Sequence, residues 1–338
     1  MGDELRIRGW VEDDGRVLIE DEIRSIISGG CDRISRLGGE FSITWGRYRL
    51  RDHLGIVPGD SPPGIFEENG KMICRISPDP SPLPLAKAIE TAVRLRSSPG
   101  SVVALSGGVD SSLIAAIAER PCIGVGIEGS HDLARARDVA RVIGADFTPM
   151  PIDPDEVEDA LRRILPLLPS TSPVDASIAV TAYFLCRAAS DLGYDRIISG
   201  QGADEIFCGY SRYLESSDLG RDRAADIADL PRQMARDQGV AGLFGIWISL
   251  PYLDMRVMRA AGEIPIDAMI QSGVRKSPLR SAARAFLPAD IASYEKKAMQ
   301  YGSGVWKVIR DLARESGFKR AVQGYMNQLQ EGEAEHGF

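Results

Sequence analysis

The feature that most constrains this 338-residue chain is Ser106-Gly107-Gly108-Val109-Asp110-Ser111-Ser112, set between a short apolar run, Ser101–Leu105, and a helical period over Ser112–Ala118. A buried strand feeding two adjacent glycines and then a helix leaves few architectures open. The glycines let the backbone approach an anion with no Cβ in the way. The helix start offers unpaired N–H groups and a partial positive charge, a seat for phosphate. Leu105 ends the strand, and Ser106, Ser111 and Ser112 add hydroxyl donors. Asp110 would repel a bare phosphate, so its place in the run calls for a cation between them and makes it a Mg²⁺ ligand candidate. An ordinary strand–turn–helix needs one capping residue, not a run of seven such types. The spacing is not the G-x-x-x-x-G-K-S/T of the kinase P-loop.

Around this loop the pattern alternates. Leu85–Leu95 reads as a helix, Cys122–Ile127 as a second buried strand, Asp132–Ile143 as a helix and Phe147–Ile152 as a third strand. Helices over Asp155–Leu165 and Ile178–Leu192 precede a short strand, Arg196–Ser199. Strands apolar on both faces, alternating with helices, predict an α/β fold: a Rossmann-like parallel sheet covered on both sides. From about residue 211 the chain reads as helical, with a frayed polar tail over 328–338. Residues 1–75 differ in texture. Trp10-Val11 and Arg16–Ile19 flank Asp13-Asp14-Gly15, Glu40–Trp45 and Tyr48–Arg51 flank Gly46, and Asp21–Ile27 fits a short helix between these hairpins. The four prolines of 76–84 exclude regular structure. A small β-rich domain (1–75), a linker (76–84) and a large domain (85–327) follow.

A second constellation is Ser199-Gly200-Gln201-Gly202-Ala203-Asp204-Glu205-Ile206-Phe207-Cys208-Gly209-Tyr210. Ligands of open α/β sheets bind at the carboxyl ends of strands. Asp204 is therefore expected to face Asp110, and the two carboxylates to hold Mg²⁺ on a triphosphate. Gly124-Val125-Gly126-Ile127-Glu128-Gly129 fits G-x-G-x-x-G, but it belongs to the second strand, and a lone match is weak evidence for a dinucleotide. The backbone of Val125 is expected to line an adenine pocket instead.

The first run resembles the pyrophosphate loop, S-G-G-x-D-S, of the N-type ATP pyrophosphatases. Together the two runs resemble the synthetase domain of asparagine synthetases, which the β-lactam synthetases share. Leu250-Pro251-Tyr252-Leu253-Asp254 looks like the family's R-V-P-F-L-D, and Glu295-Lys296-Lys297 with Tyr301-Gly302-Ser303-Gly304 resembles its basic, glycine-rich segment. The resemblance implies an AMP-forming amidoligase. ATP is cut between the α and β phosphates, a carboxylate (in the simplest case aspartate) is adenylated, and ammonia displaces AMP. It implies ATP and Mg²⁺, phosphate binding by 106–112, approach of the nucleotide to Gly200 and Gly202, and a catalytic lysine at Lys276.

Three departures qualify it. The family's glutaminase domain starts with a nucleophilic Cys, whereas Gly2 is second here, and 1–75 matches only its last hairpins, Arg51-Asp52-His53-Leu54-Gly55-Ile56 standing for R-D-R-L-G-I. The first domain thus reads as a shrunken relic. Ammonia would come free or from a separate glutaminase, and the relic would serve as a homodimer surface or a lid. Gln201 stands where the family has Glu, and Gln cannot take a proton. Either another base such as Glu205 serves, or the acceptor differs: another carboxylate, or a tRNA base; in a weakened asparagine synthetase Gln201→Glu would raise ammonia-dependent amide formation. Cys208, where Gly is usual, reads as a buried thiol rather than a nucleophile. A subunit that only binds ATP is the remaining alternative.

Composition excludes other classes. Lys+Arg is 40 against Asp+Glu 48, a net −8, a poor balance for nucleic acid or an anionic membrane. A tRNA reading would need a basic face from Arg232, Arg236, Lys296, Lys297 and Lys307. Five cysteines without a CxxC pair and three scattered histidines argue against disulfide and zinc frameworks. No apolar run nears the ~20 residues of a membrane helix. The expected location is the cytoplasm.

Overall fold

The computed structural model describes residues 4–294, 302–318 and 321–334. Its first unit is a six-stranded antiparallel sheet, in the order β2-β1-β3-β4-β5-β6, formed by β1 (Leu5–Asp13), β2 (Arg16–Val17), β3 (Gly38–Trp45), β4 (Tyr48–Arg51), β5 (Ile65–Glu68) and β6 (Lys71–Arg75). Asp13 pairs with Arg16 across a two-residue turn, and both turn residues, Asp14 and Gly15, have positive φ. That geometry matches the right-handed twist of the strands. The β5–β6 hairpin repeats it at Asn69-Gly70, an Asn-Gly signal that the sequence reading passed over. Helices α1 (Glu20–Gly29) and α2 (Cys31–Ile34) place Ile23, Ile26, Ile27 and Ile34 in one cluster with Phe41, Ile43, Leu50 and Phe66 of the strands.

Residues 76–84 form no regular element. Beyond them α3 (Leu85–Arg96), β7 (Ser101–Ala104), α4 (Val109–Ala118), β8 (Cys122–Ile127), α5 (His131–Ile143), β9 (Phe147–Ile152), α6 (Val157–Ile164), α7 (Pro173–Asp191) and β10 (Arg196–Ile198) follow the expected alternation. Then come α8 (Ala203–Ile206), α9 (Leu219–Gly242), β11 (Trp247–Ser249), α10 (Met255–Gly262), α11 (Ser277–Ala283) and α12 (Ala289–Ala292). The five strands β7–β11 are all parallel, in the order β11-β10-β7-β8-β9. The winding reverses between β7 and β10, so the crevice past their carboxyl ends is the switch point where such sheets bind ligands.

The structure corrects several sequence expectations. Helix α4 starts at Val109, not Ser112, so Asp110, Ser111 and Ser112 lie in its first turn. Helix α7 starts at Pro173, capped by the Ser172 hydroxyl, which accepts from Asp175 N–H at 3.1 Å. The stretch after 211 is not all helical: β11 adds an edge strand. The tail expected to fray from Gln328 is helix through Ala334, and Leu329 is buried. The first two glycines of the G-x-G-x-x-G match lie inside β8, and Gly129 lies in the turn that follows, at φ +73°. A Cβ at Gly124 would come within 2.9 Å of the Leu105 carbonyl oxygen, and one at Gly126 would strike Ser130, so close packing accounts for both.

The two sheets meet across buried charges. Arg96 Nε donates to Glu40 Oε1 at 2.6 Å and Arg96 Nη1 to Asp254 Oδ2 at 2.9 Å, while Arg256 pairs with Glu12 at 2.6 Å and with Asp254 at 3.2 Å. All five side chains are buried. Burial pulls the Arg96 pKa down, but the Glu40 and Asp254 carboxylates outweigh it and raise the pKa. Glu40 also accepts from the Ser249 hydroxyl and from Leu250 N–H, which ties β3 to the carboxyl end of β11.

Candidate active site

The run 106–112 is a self-braced turn. Ser106 N–H donates to Ser111 Oγ at 3.2 Å, the two hydroxyls are 3.0 Å apart, and Ser112 Oγ donates to the Gly108 carbonyl at 2.7 Å. Ser111 and Ser112 thus shape the loop, and its N–H groups and helix start are of the kind that seats an anion. Gly107 has φ +75°, and a Cβ there would lie 2.6 Å from Arg135 Cγ. The second loop touches the first: a Cβ at Gly200 would lie 3.2 Å from Asp110 Cβ and from Ser111 N. Gly202, at φ +85°, lies against Leu253. Val125 sits two residues past the last β7–β8 bond, Leu105 N–H to the Ile123 carbonyl at 2.9 Å. The Tyr252 hydroxyl donates to the Asp110 carbonyl at 2.9 Å, a brace on the loop that sequence reasoning did not assign.

Asp110, Asp204 and Lys276, far apart in sequence, meet here. The Lys276 ammonium lies 2.7 Å from Asp110 Oδ2 and 2.8 Å from Asp204 Oδ1. Burial pulls the Lys276 pKa down, and the two carboxylates outweigh it, so the group is held as a cation. Lys276 has φ +58°, a left-handed backbone rare outside glycine, and it precedes Pro278 in the first turn of α11. Strained backbone of this kind concentrates at functional positions. The two carboxylates converge on the Lys276 ammonium, so a Mg²⁺ held by both would be completed by phosphate oxygens and water rather than by a protein cage. Among the described residues no group of three or more His, Cys, Asp or Glu side chains offers such a cage. Gly209 makes the meeting possible, because a Cβ there would overlap both Asp204 Oδ1 and Lys276 Cε.

Gln201 and Glu205 face elsewhere. Gln201 Nε2 donates to Asp237 Oδ2 at 2.7 Å, and Asp237 is paired with Arg236, which also holds Asp175 at 2.7 Å. Glu205 is buried, and its Oε1 accepts from the Tyr210 hydroxyl at 2.5 Å. Burial raises its pKa. No bond joins it to the Asp110–Lys276–Asp204 cluster among the described residues. Cys208 is fully buried at φ +54°, and burial pushes its thiol up to about 11. The positive φ explains why Gly is usual at that position. The basic face also dissolves: Arg236 is buried on carboxylates, Arg232 pairs with Asp175 and Asp229, and of the other three only Lys307 lies among the described residues. Glu295, Lys296, Lys297 and Tyr301 lie outside them.

The Asp237 contact changes the outcome expected of Gln201→Glu. The introduced carboxylate would face Asp237 instead of donating to it, and a carboxylate beside another has a raised pKa. Its folded pKa then exceeds the unfolded one, so the cost is absent below about pH 4 and grows as pH rises. The expected result at pH 7.5 is a lower melting temperature and no gain in amide formation, with recovery of stability in Gln201→Glu/Asp237→Asn. A single variant as stable as the wild type at pH 7.5 would show that Asp237 does not dictate the residue at 201.

Comparison with known proteins came out as follows. The family model for asparagine synthase matches residues 85–245 and 241–330. A Methanocaldococcus jannaschii protein assigned as a glutamine-hydrolyzing asparagine synthetase is 28% identical over 291 residues, 72% of this chain and 54% of the relative. Asparagine synthetase B of Escherichia coli, named as glutamine-hydrolyzing, is 27% identical over 247 residues, 65% of this chain and 45% of that protein. The chain spans about half the length of these curated relatives. The NH3-dependent NAD synthetase of Campylobacter jejuni covers 54% of this chain and 98% of its own, at 14% identity and a TM-score of 0.28, too low to argue from.

Proposed function

The chain belongs to the asparagine synthase family, and from that premise we propose that it is an AMP-forming amidoligase, which adenylates a carboxylate with ATP and couples the acyl group to ammonia. Aspartate is the simplest acceptor, and the ammonia comes free or from a separate glutaminase. The observation that carries this reading is the Lys276 ammonium held between Asp110 and Asp204 at the switch point of the parallel sheet.

The 106–112 turn and the start of α4 seat the phosphates by their N–H groups, and Gly200 and Gly202 let the second loop close on the nucleotide. The Val125 backbone lines the adenine. Asp110 and Asp204 hold Mg²⁺, which when bound neutralises charge on the triphosphate oxygens. The carboxylate oxygen attacks the α-phosphorus and pyrophosphate leaves. Lys276 offsets the charge that builds on the phosphorus and then on the tetrahedral carbon, a cation fixed in place before the reaction. Ammonia attacks the acyl carbon and AMP leaves. Gln201, a neutral amide that donates to Asp237, takes no proton from the amine. That bond favours a second reading in which the acceptor is a carboxylate other than aspartate.

The test is the nucleotide product. Protein is incubated with Mg-ATP and aspartate, with and without ammonium, and AMP, ADP and asparagine are measured. Ammonium-dependent AMP with stoichiometric asparagine is the expected result. AMP formed only with another carboxylate would select the second reading, and ADP or ATP left intact with every carboxylate tried would overturn both.

A further inference from the structure

Arg135 is the one feature beside the 106–112 turn that the proposed roles leave unused. It lies on α5, and its Cγ packs against Gly107, where a Cβ would come to 2.6 Å. Its stem is therefore anchored at the turn. The guanidinium lies over the Tyr294 ring, with Cζ 4.1 Å from the centroid. Tyr294 is itself fixed. Its hydroxyl is 2.9 Å from His131 Nε2, and its carbonyl accepts from Arg280 Nη1 at 3.0 Å, on the helix that starts just after Lys276. The aromatic shelf under Arg135 is thus tied to the element that presents the site's lysine.

Three of the buried arginines, Arg96, Arg236 and Arg256, are neutralised by carboxylates at 3.2 Å or less. Arg135 is not. Its Nε is buried without a hydrogen-bond partner, and among the described residues the guanidinium forms no ion pair. An aromatic face attracts a guanidinium but satisfies none of its N–H donors. A pre-oriented planar fork with free donors, beside a turn that offers N–H groups, matches a phosphate group.

We propose that Arg135 binds the β and γ phosphates of ATP and holds pyrophosphate as it leaves, an inference that rests on the nucleotide reading above. With Mg²⁺ on Asp110 and Asp204 the cluster with Lys276 would carry one net positive charge, which leaves most of the charge of a leaving pyrophosphate to be met by a further cation. Arg135 supplies it from the opposite element.

The test is equilibrium binding of Mg-pyrophosphate, Mg-ATP and AMP to the wild-type chain and to Arg135→Met and Arg135→Lys, by calorimetry without an acceptor. Methionine keeps the stem against Gly107 and removes the fork. The expected result is a loss of at least ~10-fold in pyrophosphate and ATP affinity in Arg135→Met, a partial loss in Arg135→Lys, and unchanged AMP affinity in both. Unchanged pyrophosphate affinity in Arg135→Met would overturn the proposal, and so would an equal fall in AMP affinity, which would mark Arg135 as a packing residue. A wild-type chain that binds none of the three would overturn the nucleotide reading and this inference with it.

Discussion

Gly209→Ala should cost ~10²–10³-fold in turnover with little loss of stability, the scale of removing one preorganised donor from a charged site. The reason is space rather than backbone. Gly209 is not among the glycines with positive φ, so alanine fits its conformation. Its side chain does not fit, because the Cβ would overlap Asp204 Oδ1 and Lys276 Cε, and Lys276 is buried with little room to retreat. One of the two must swing away and the ion-pair cluster opens. Asp204 is the more exposed partner, 41% against 8% for the lysine side chain, so it is the group expected to move. Gly209→Ala should therefore weaken Mg²⁺-dependent ATP binding as well as turnover. The check is kcat with whichever acceptor releases AMP, with melting temperature as the fold control. In a Lys276→Ala background the glycine change should add little, since contacting residues are not additive. Turnover within twofold of wild type in the single variant would show that the cluster geometry is not what catalysis uses.

Much of this site was legible because its chemistry is local. A seven-residue run that seats an anion needs only its own glycines, serines and helix start, and strands apolar on both faces announce a parallel sheet wherever they fall. The illegible parts depend on distant partners. Lys276 meets Asp110 across 166 residues, and nothing in Arg275-Lys276-Ser277 marks a buried cation; only the resemblance suggested it. Gln201 is explained by Asp237, 36 residues on, in a helix that reads as polar. Strand β11 is three residues long, too short for a period, although Trp247-Ile248-Ser249 between Gly245 and Pro251 carried a weak strand signal. The serines of the turn carry a second role that the run alone does not reveal: their hydroxyls also brace the turn itself. The start of α4 follows from that bracing, because Ser111 and Ser112 bond back to Gly108 and set the helix running from Val109.

Arg96→Met should destabilise the chain by about 3–5 kcal/mol, the usual cost of leaving buried carboxylates without their cation. Arg96 is 3% exposed and holds Glu40 of the first sheet and Asp254 of the second unit at once. Methionine replaces the stem but not the charge. Asp254 keeps Arg256, whereas Glu40 retains only the Ser249 hydroxyl and Leu250 N–H. Those two donors define a control. In Arg96→Met/Glu40→Gln the amide oxygen can still accept from one of them and no buried carboxylate is left without a cation beside it, because Glu12 and Asp254 share Arg256, so roughly half the loss should return. The measurement is the urea midpoint multiplied by the slope of the transition. The strain should also reach the site, because Glu40 holds Ser249 and Leu250, and Tyr252, two residues on, braces the Asp110 carbonyl. ATP affinity in Arg96→Met should fall under conditions where the protein is still folded, and Glu40→Gln alone should lower it less. A loss below 1 kcal/mol would mean that water or a local shift neutralises Glu40. ATP affinity unchanged in a destabilised variant would mean that the first sheet stabilises the fold without holding the turn in place.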